Sequence, residues 1–570
     1  MKKEWQVLVP DKTRIHHLSH SLNCHPLIAA LLVNRGIVSK TEAMRFLNPS
    51  LKQLRPPFSI KDMDRAVDRI ASAISRKEKI MIFGDYDVDG ITATVIYYEF
   101  LRGAGADVIY YIPHRIKEGY GLQEHHVTQV AKPSDIKLII TADCGISSCD
   151  AVVVANRTGI DVIVTDHHHV PESLPPAVAV VNPKRRDCTA GFEHLAGVGV
   201  AFNLLICLRK HLRKMRFWPD RREPNLKHFC DLVALGTIAD QVPLLYENRI
   251  LTKIGLEQIK SGNRTGIMAL IKASGKREIF DAEDVAFRLA PRMNAPGRMA
   301  HAKMAVDLLM SNDVDSAMSI AEYLNNMNSE RQRLEKKIIE EIEDMLDNHP
   351  EHIQKNTLVL SSATWHEGIL GIVASRLTEK LFRPVVLFAT KDGMGKGSAR
   401  SVPGIDIFQA IKSCARNLET FGGHSMAAGL RVAEEKIESF EKDLEAFVEK
   451  NSYNETHRPA MKIDCELKFS QISPALLDAL EALGPFGQGN PEPLFVSRNI
   501  RVRSHRIVGE NHCQMILQQL SDGTPRSFQA IQFNIAPGTV ITDGFEHIAF
   551  RLRWNHWNGN KTIQLVIEDT

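Results

Sequence analysis

The sequence predicts an α/β protein whose largest domain is a doubly wound parallel sheet. Two observations carry that expectation. Between about residues 60 and 310, short β-branched apolar runs alternate with helical stretches. Those runs are nearly continuous in apolar character, as a sheet covered on both faces requires. A third observation concerns chemistry: acids and histidines gather just after the carboxyl ends of those runs, where open α/β sheets place their sites.

The strand expectations are Ile80 to Phe83, Val108 to Ile112, Leu138 to Thr141, Val162 to Thr165 and Val178 to Val181. The first runs into Gly84-Asp85-Tyr86-Asp87-Val88-Asp89-Gly90, ahead of a helical pattern expected from near Ile91. Carboxylates crowded at a buried strand end repel one another and lose hydration. A divalent cation is the simplest compensation, because hard cations take oxygen ligands. An Asp-rich turn that caps the next helix is the alternative this stretch leaves open. The third strand runs into Ala142-Asp143-Cys144-Gly145, and the fourth into Asp166-His167-His168-His169. Three strand ends that deliver Asp, Asp and His to one edge point to a metal centre. Carboxylate and imidazole donors suit Mn²⁺, tolerate Mg²⁺ less well, and without Cys argue against zinc. Cys144 reads as a small packing residue. The apolar stretch Asp231 to Ala239 predicts a helix that ends at Asp240, an acid set against the helix dipole, which favours a nearby cation.

The remaining segments follow in order. Residues 1–60 read as short helices with a packing or capping role. The catalytic α/β domain is expected over 61–313, and a long amphipathic connecting helix over 314–350, with Ile320, Leu324, Met327, Leu334, Ile338, Ile342 and Met345 as its apolar stripe. A second α/β domain is expected over 351–452, with strands at Thr357 to Leu360 and Val385 to Phe388. Short strand patterns over 456–570 predict a small β-barrel.

The chain of 570 residues is too long for one core. Its 44% hydrophobic and 24% charged residues are ordinary for a globular protein. A net charge of +3 gives no global nucleic-acid signal, so any such binding must come from local patches. Nine scattered Cys without a CxxC pair fit a reducing compartment. With no signal peptide and no bilayer-length apolar run, a cytoplasmic location is expected.

Asp-Tyr-Asp-Val-Asp-Gly, Thr-Ala-Asp-Cys-Gly, Thr-Asp-His-His and Gly-Thr-Ile-Ala-Asp occur in that order. They resemble the four motifs of the DHH phosphoesterase superfamily, and the rest of the chain resembles its single-strand-specific 5′→3′ DNA exonucleases. That resemblance implies catalytic Asp85, Asp87, Asp89, Asp143, His167, His168 and Asp240. It implies metal ligands Asp87, Asp89, Asp143, His167 and Asp240 for two ions, Mn²⁺ or Mg²⁺, bridged by Asp143. Asp85, Asp166 and His168 would support them. Phe83 stands where some members carry a His.

The resemblance further implies a DHHA1-type second domain with a Gly422-Gly423-His424 signature. There His424 would hold the scissile phosphate, while Ser398 and Arg400 grip the 5′ end. Arg115, after the second strand, is a phosphate-clamp candidate, since guanidinium matches phosphate oxygens bidentately. Arg292 and Arg298, with Arg288, would lie near the groove. Gly484 to Pro491 resembles the lead-in to an OB-fold, so the barrel is expected to be one. Arg501, Arg503, His505, Arg506, Trp554 and Trp557 would offer charge and stacking there, the tryptophans also being open to a core reading.

The basic stretch Leu208 to Lys227, around Phe217 and Trp218, reads equally as a nucleic-acid track or a solvated face. Leu195 to Val200 reads as tight helix packing. The implied activity is metal-dependent exonucleolytic hydrolysis of single-stranded DNA to mononucleotides, by a monomer served by a single-strand-binding protein and a helicase. A phosphodiesterase for short oligonucleotides and a scaffold without turnover are the alternatives.

Overall fold

The computed structural model describes residues 4–218, 223–275, 281–451, 460–509, 511–521, 524–536, 539–557 and 560–570. Arg221 and Arg222 of the basic stretch lie outside them.

The first sheet holds five parallel strands, Ile80–Gly84, Val108–Tyr111, Leu138–Ala142, Asp161–Thr165 and Ala179–Val181. Numbered by sequence within the sheet, their spatial order is 2-1-3-4-5. The direction in which the sheet grows therefore reverses between Ile80–Gly84 and Leu138–Ala142, and ligands bind at such a switch point. Every residue of these two strands is buried. Side chains alternate across the sheet. Ile80 and Ile82 enter the large core beneath helices Met63–Arg76, Val88–Gly103 and Gly197–Lys214, while Met81 and Phe83 enter a smaller core beneath Cys149–Arg157. Phe83 stacks on Tyr111 and His126 there, so the residue that replaces a His of some superfamily members packs among aromatic neighbours.

One element boundary differs from expectation in a way that matters. The helix after the first strand begins at Val88 with Asp87 as its cap, three residues before Ile91. The Asp87 carboxylate accepts the Asp89 and Gly90 amides at 3.0 and 3.1 Å. Capping and metal-ligand readings are thus not exclusive, because a carboxylate has a second oxygen to offer.

A 35-residue helix, Val314–Asn348, leads to the second domain. Its buried stripe keeps Leu324, Ile338 and Ile342 of the expected one and also includes Asn328, Arg331 and Glu335 in mid-helix. Arg331 reaches Glu335 at 2.9 Å and Asn328 at 2.8 Å, which satisfies charge that apolar periodicity does not reveal. The second sheet runs Leu418–His424, Ala427–Ala433, Met394–Arg400, Val385–Lys391, Leu358–Ser362 and is parallel only in its last pair.

The C-terminal sheet closes on itself, since Phe495–Val508 pairs with both His512–Ser521 and Gly544–Trp557. Gly544–Trp557 alternates apolar and charged residues over part of its length. It carries both tryptophans. Trp554 packs against the barrel core beneath the Lys561 ammonium, 4.1 Å from its ring. The Trp557 side chain lies outside the described residues. The N-terminal helices Lys12–Leu22, Pro26–Asn34 and Lys40–Leu47 share the barrel's core, and Glu4–Val7 pairs with Ala460–Ile463. No helix among the described residues is long and apolar enough to cross a membrane.

The described part of the basic stretch is partly packed and paired. Trp218 is buried edge-on against Phe100 and Phe217, and Arg209 and Arg213 pair with Glu223.

Candidate metal centre and phosphate cleft

The switch point gathers the first two motifs, and the neighbouring strand and helix ends bring the others to them. Asp85 follows the first strand, Asp87 and Asp89 open the next helix, and Asp143 follows the third strand in a left-handed conformation at φ 65°. His167 and His168 follow the fourth strand, and Asp240 caps Cys230–Ala239. His167 Nε2 lies 3.2 Å from Asp143, 3.4 Å from Asp240 and 3.8 Å from Asp89.

Oxygen and nitrogen atoms come within metal-ligand reach in three overlapping groups: Asp85, Asp87 and Asp143; Asp89, His167 and Asp240; and Asp143, His167 and His168. Asp143 belongs to two of them. Asp85 and His168, expected as supporting groups, stand at ligand distance as well. Asp166 does support: its carboxylate accepts the His167 and His168 amides and the Ile146 amide, and meets His168 Nδ1 at 2.7 Å.

The cluster fits a multivalent cation. Buried Asp85 and Asp143 each have an oxygen that makes no hydrogen bond, and neither ring nitrogen of buried His167 makes one, although Nε2 faces the carboxylates of Asp143 and Asp240. Burial, reinforced by the neighbouring Asp87, raises Asp85 well above the carboxylate range and lifts Asp89 to about 7. Burial and Asp89 raise Asp143 well above that range and Asp240 to about 9. Burial and the adjacent His168 push His167 down to about 3, so its imidazole is neutral and keeps a lone pair. Burial opposes charge on His168 too, but the Asp166 carboxylate outweighs it and lifts His168 to about 9.

Protein dipoles balance only part of this negative charge. Gly197 and Val198, opening the helix Gly197–Lys214, donate their amides to Asp89 at 2.6 and 2.8 Å. Such charge-assisted bonds are worth roughly 1.5–3 kcal/mol each. Removing a carboxylate from water costs several kcal/mol, and each like-charged neighbour at 4 Å adds about 4 kcal/mol at an effective dielectric of 20. The balance left is what hard divalent ions supply.

The Leu195 to Val200 stretch, expected as helix packing, is therefore part of the site. A Cβ on Gly197 would sit 2.4 Å from an Asp143 oxygen, so only glycine lets the helix come this close. The signal was a glycine opening a helix without a side-chain cap, which leaves amides free for an anion. Tyr120 was missed entirely: its hydroxyl lies 3.1 Å from His168 Nδ1 and donates to the Asp143 carbonyl at 3.4 Å.

A basic wall faces the acids. Arg298 is half-buried, and its guanidinium is held down to about 9 by burial and by Arg115, Arg331 and Arg400. Arg115 lies over the Tyr86 ring at 4.8 Å. Arg400 bonds the Ser398 hydroxyl at 3.2 Å, and both face Gly371, where a Cβ would stand 2.8 Å from Arg400 and 3.1 Å from Ser398. Arg288 and Arg292 stay within their own surroundings, on Asp284 and on Asn325 and the Arg288 carbonyl. Gly422, Gly423 and His424 end a hairpin strand rather than forming a free loop. Gly423, at φ 151°, allows the close hairpin that projects His424; its ring lies 6.0 Å from that of His169, across from the first domain.

Comparison with known proteins agrees with this architecture. Family models match in three places: the DHH family N-terminal domain at residues 79–237, the DHHA1 domain at 354–450 and the RecJ OB domain at 463–569. The single-stranded-DNA-specific exonuclease RecJ of Bacillus subtilis (strain 168) is 37% identical over all of this chain and 71% of the relative. That of Haemophilus influenzae is 35% identical over 98% of both chains. The crystal structure of RecJ with Mn²⁺ from Thermus thermophilus superposes with a TM-score of 0.83 at 30% identity, covering 99% of this chain and 79% of that one. RecJ from the same source was also solved with Mg²⁺. Three matching domains in order, and identity above a third across nearly full length, place the chain in one group: it belongs to the RecJ family of DHH proteins.

Proposed function

We propose that this protein is a divalent-metal-dependent exonuclease that hydrolyses single-stranded DNA from the 5′ end and releases 5′-mononucleotides, in DNA recombination and repair. The observation that carries the reading is the meeting of one buried, charge-excess acid–imidazole cluster with a basic wall to which Arg115 and Arg298 of the first domain and Ser398 and Arg400 of the second contribute. Asp85, Asp87 and Asp143 would hold one Mn²⁺ or Mg²⁺, and Asp89, His167 and Asp240 the other, with Asp143 shared and His168 beside it. When bound, the two ions supply electrostatic polarisation of the phosphoryl oxygens and a water acidic enough to ionise near neutral pH.

The chain's own groups do the rest. Gly197, Val198 and Asp166 fix Asp89, His167 and His168, so little reorganisation accompanies reaction. Arg115, Arg298, Ser398 and Arg400 present fork-shaped and hydroxyl donors to the terminal phosphate. His424 donates to the scissile phosphate across the cleft, with Gly422 and Gly423 allowing close backbone approach. Strand choice would follow from how closely the two domains approach: the His169 and His424 rings meet edge-on with centroids 6.0 Å apart, which leaves no room there for a duplex. Such an enzyme needs an unwound 5′ end, so we infer a helicase and a single-strand-binding protein as the partners that supply it. The cleft is completed within one chain, which supports a monomer.

The test is a 5′-labelled single strand of a few tens of nucleotides with Mn²⁺ or Mg²⁺. Release of labelled mononucleotide is expected, with the matching duplex resisting. Cleavage confined to very short oligomers, or binding without cleavage, overturns the reading.

A further inference from the structure

Between the metal cluster and the barrel lies an exposed aromatic pair that the proposed chemistry leaves unused. Tyr246 is 64% exposed, and its ring is parallel to that of His194, tilted by 2° with centroids 6.1 Å apart. The His194 side chain is 39% exposed. The Arg55 guanidinium, from the N-terminal segment, lies 4.3 Å over Phe192 and 5.6 Å from the Tyr246 ring centre. Arg55 is already neutralised by Glu247, through bonds of 2.7 and 2.5 Å, so it offers a planar face more than a free charge.

Both rings are tethered to the site. His194 is three residues from Gly197, whose amide holds Asp89, and three residues span at most about 10 Å. Tyr246 is six residues beyond Asp240. Its other side is tied to the barrel's lead-in: the Leu244 amide bonds the Gln488 carbonyl and Arg249 bonds the Gly484 carbonyl, each at 2.8 Å. Tyr246 also adopts φ 44°, a left-handed conformation that bulky residues avoid and that concentrates at ligand contacts. A large, wet aromatic ring held in a strained conformation by a locked scaffold is poor economy for packing alone. It is suited to a planar partner, because every base has a π-face and stacking on aromatics is how single strands are held without sequence preference.

We propose that Tyr246 and His194 form a stacking platform for a nucleobase of the single strand running between the metal cluster and the C-terminal barrel. The proposal rests on the nuclease reading for the identity of the strand.

The test is a scan in which one abasic residue is moved along a 5′-phosphorylated oligonucleotide of about 20 nucleotides. Binding is measured in EDTA and turnover in Mn²⁺. In the wild type, one position is expected to weaken binding about tenfold and raise KM alike, with kcat little changed. In Tyr246→Ala the intact strand binds about tenfold more weakly and that position's penalty disappears, while Tyr246→Phe behaves as wild type. His194→Ala gives a smaller loss at the same position. An unchanged abasic profile in Tyr246→Ala overturns the platform, as does a Phe variant as weak as the Ala variant. The two readings separate cleanly. Turnover with no Tyr246 effect sinks only the platform, and a Tyr246-dependent abasic penalty in EDTA without turnover in Mn²⁺ sinks only the nuclease assignment.

Discussion

Two clusters among the described residues of the first domain hold similar residue types at similar distances, yet they differ in how far their charge and lone pairs are already satisfied. In the switch-point cluster, buried oxygens of Asp85 and Asp143 and both ring nitrogens of His167 make no hydrogen bond, whereas the second cluster leaves one such atom, His126 Nε2. In the other, Glu118, His125 and His126 also come within ligand reach. There the Gln123 amide donates to His126 Nδ1 at 2.9 Å, so the ring hydrogen sits on Nε2 and faces Glu118 at 3.4 Å. A nitrogen that carries hydrogen has no lone pair for a cation. Glu118 is further engaged by the Tyr111 hydroxyl at 2.7 Å and the His114 amide, and desolvation notwithstanding, these bonds hold its carboxyl below the usual range. The second cluster is a hydrogen-bond relay that braces the loop bearing Arg115 and Tyr120. Ligand type and spacing do not make a metal site; uncompensated charge and available lone pairs do.

The largest effect expected from breaking this contrast is at the shared carboxylate. Asp143→Asn should lower mononucleotide release by roughly a thousandfold or more, since it removes a donor common to two ligand groups. Retention of labelled single strand in EDTA should stay within about twofold. Equal loss of both would make Asp143 a merely structural residue.

The next effect is linked to pH. Asp89, lifted to about 7, and Asp240, lifted to about 9, bind protons in the folded metal-free protein that the unfolded chain has released. The folded state then holds more protons between the ordinary carboxylate range and these values. Metal-free stability should therefore fall as pH rises from about 4 to about 9. Cation binding displaces those protons, so Mn²⁺ should raise the melting temperature by several degrees more at pH 8 than at pH 6. Thermal melts with EDTA and with Mn²⁺ check both signs; a Mn²⁺ effect larger at pH 6 contradicts the charge-excess picture.

The smallest effect is expected in the relay. Glu118→Gln keeps an acceptor for His126, so Mn²⁺ stoichiometry by elemental analysis should not change, and activity should stay within about threefold. Loss of one bound ion would show that the relay is a metal site after all.

The parallel strands and the acids at their ends were legible in the sequence because burial on both faces forces continuous apolar runs, and polar residues then stand out at the switch point. The role of Gly197 and Val198 was not, because backbone amides leave no mark in side-chain type. Nor was the buried Arg331–Glu335 pair, which looks like a solvated face until the second domain packs over it. In the Gly544–Trp557 strand, Arg551 and Arg553 stand at alternate positions as a solvated face would, yet they pair with Glu492, Glu568 and Glu283. Asp85 was assigned a supporting place because sequence orders residues along the chain and does not measure their distances to Asp143.

The most direct measurement is anomalous scattering from crystals soaked in Mn²⁺. Two peaks are expected within the switch-point cluster, one bounded by Asp85, Asp87 and Asp143 and one by Asp89, His167 and Asp240, with none beside Glu118 and His126. A single peak beside His126, or none among the switch-point carboxylates, would contradict the account.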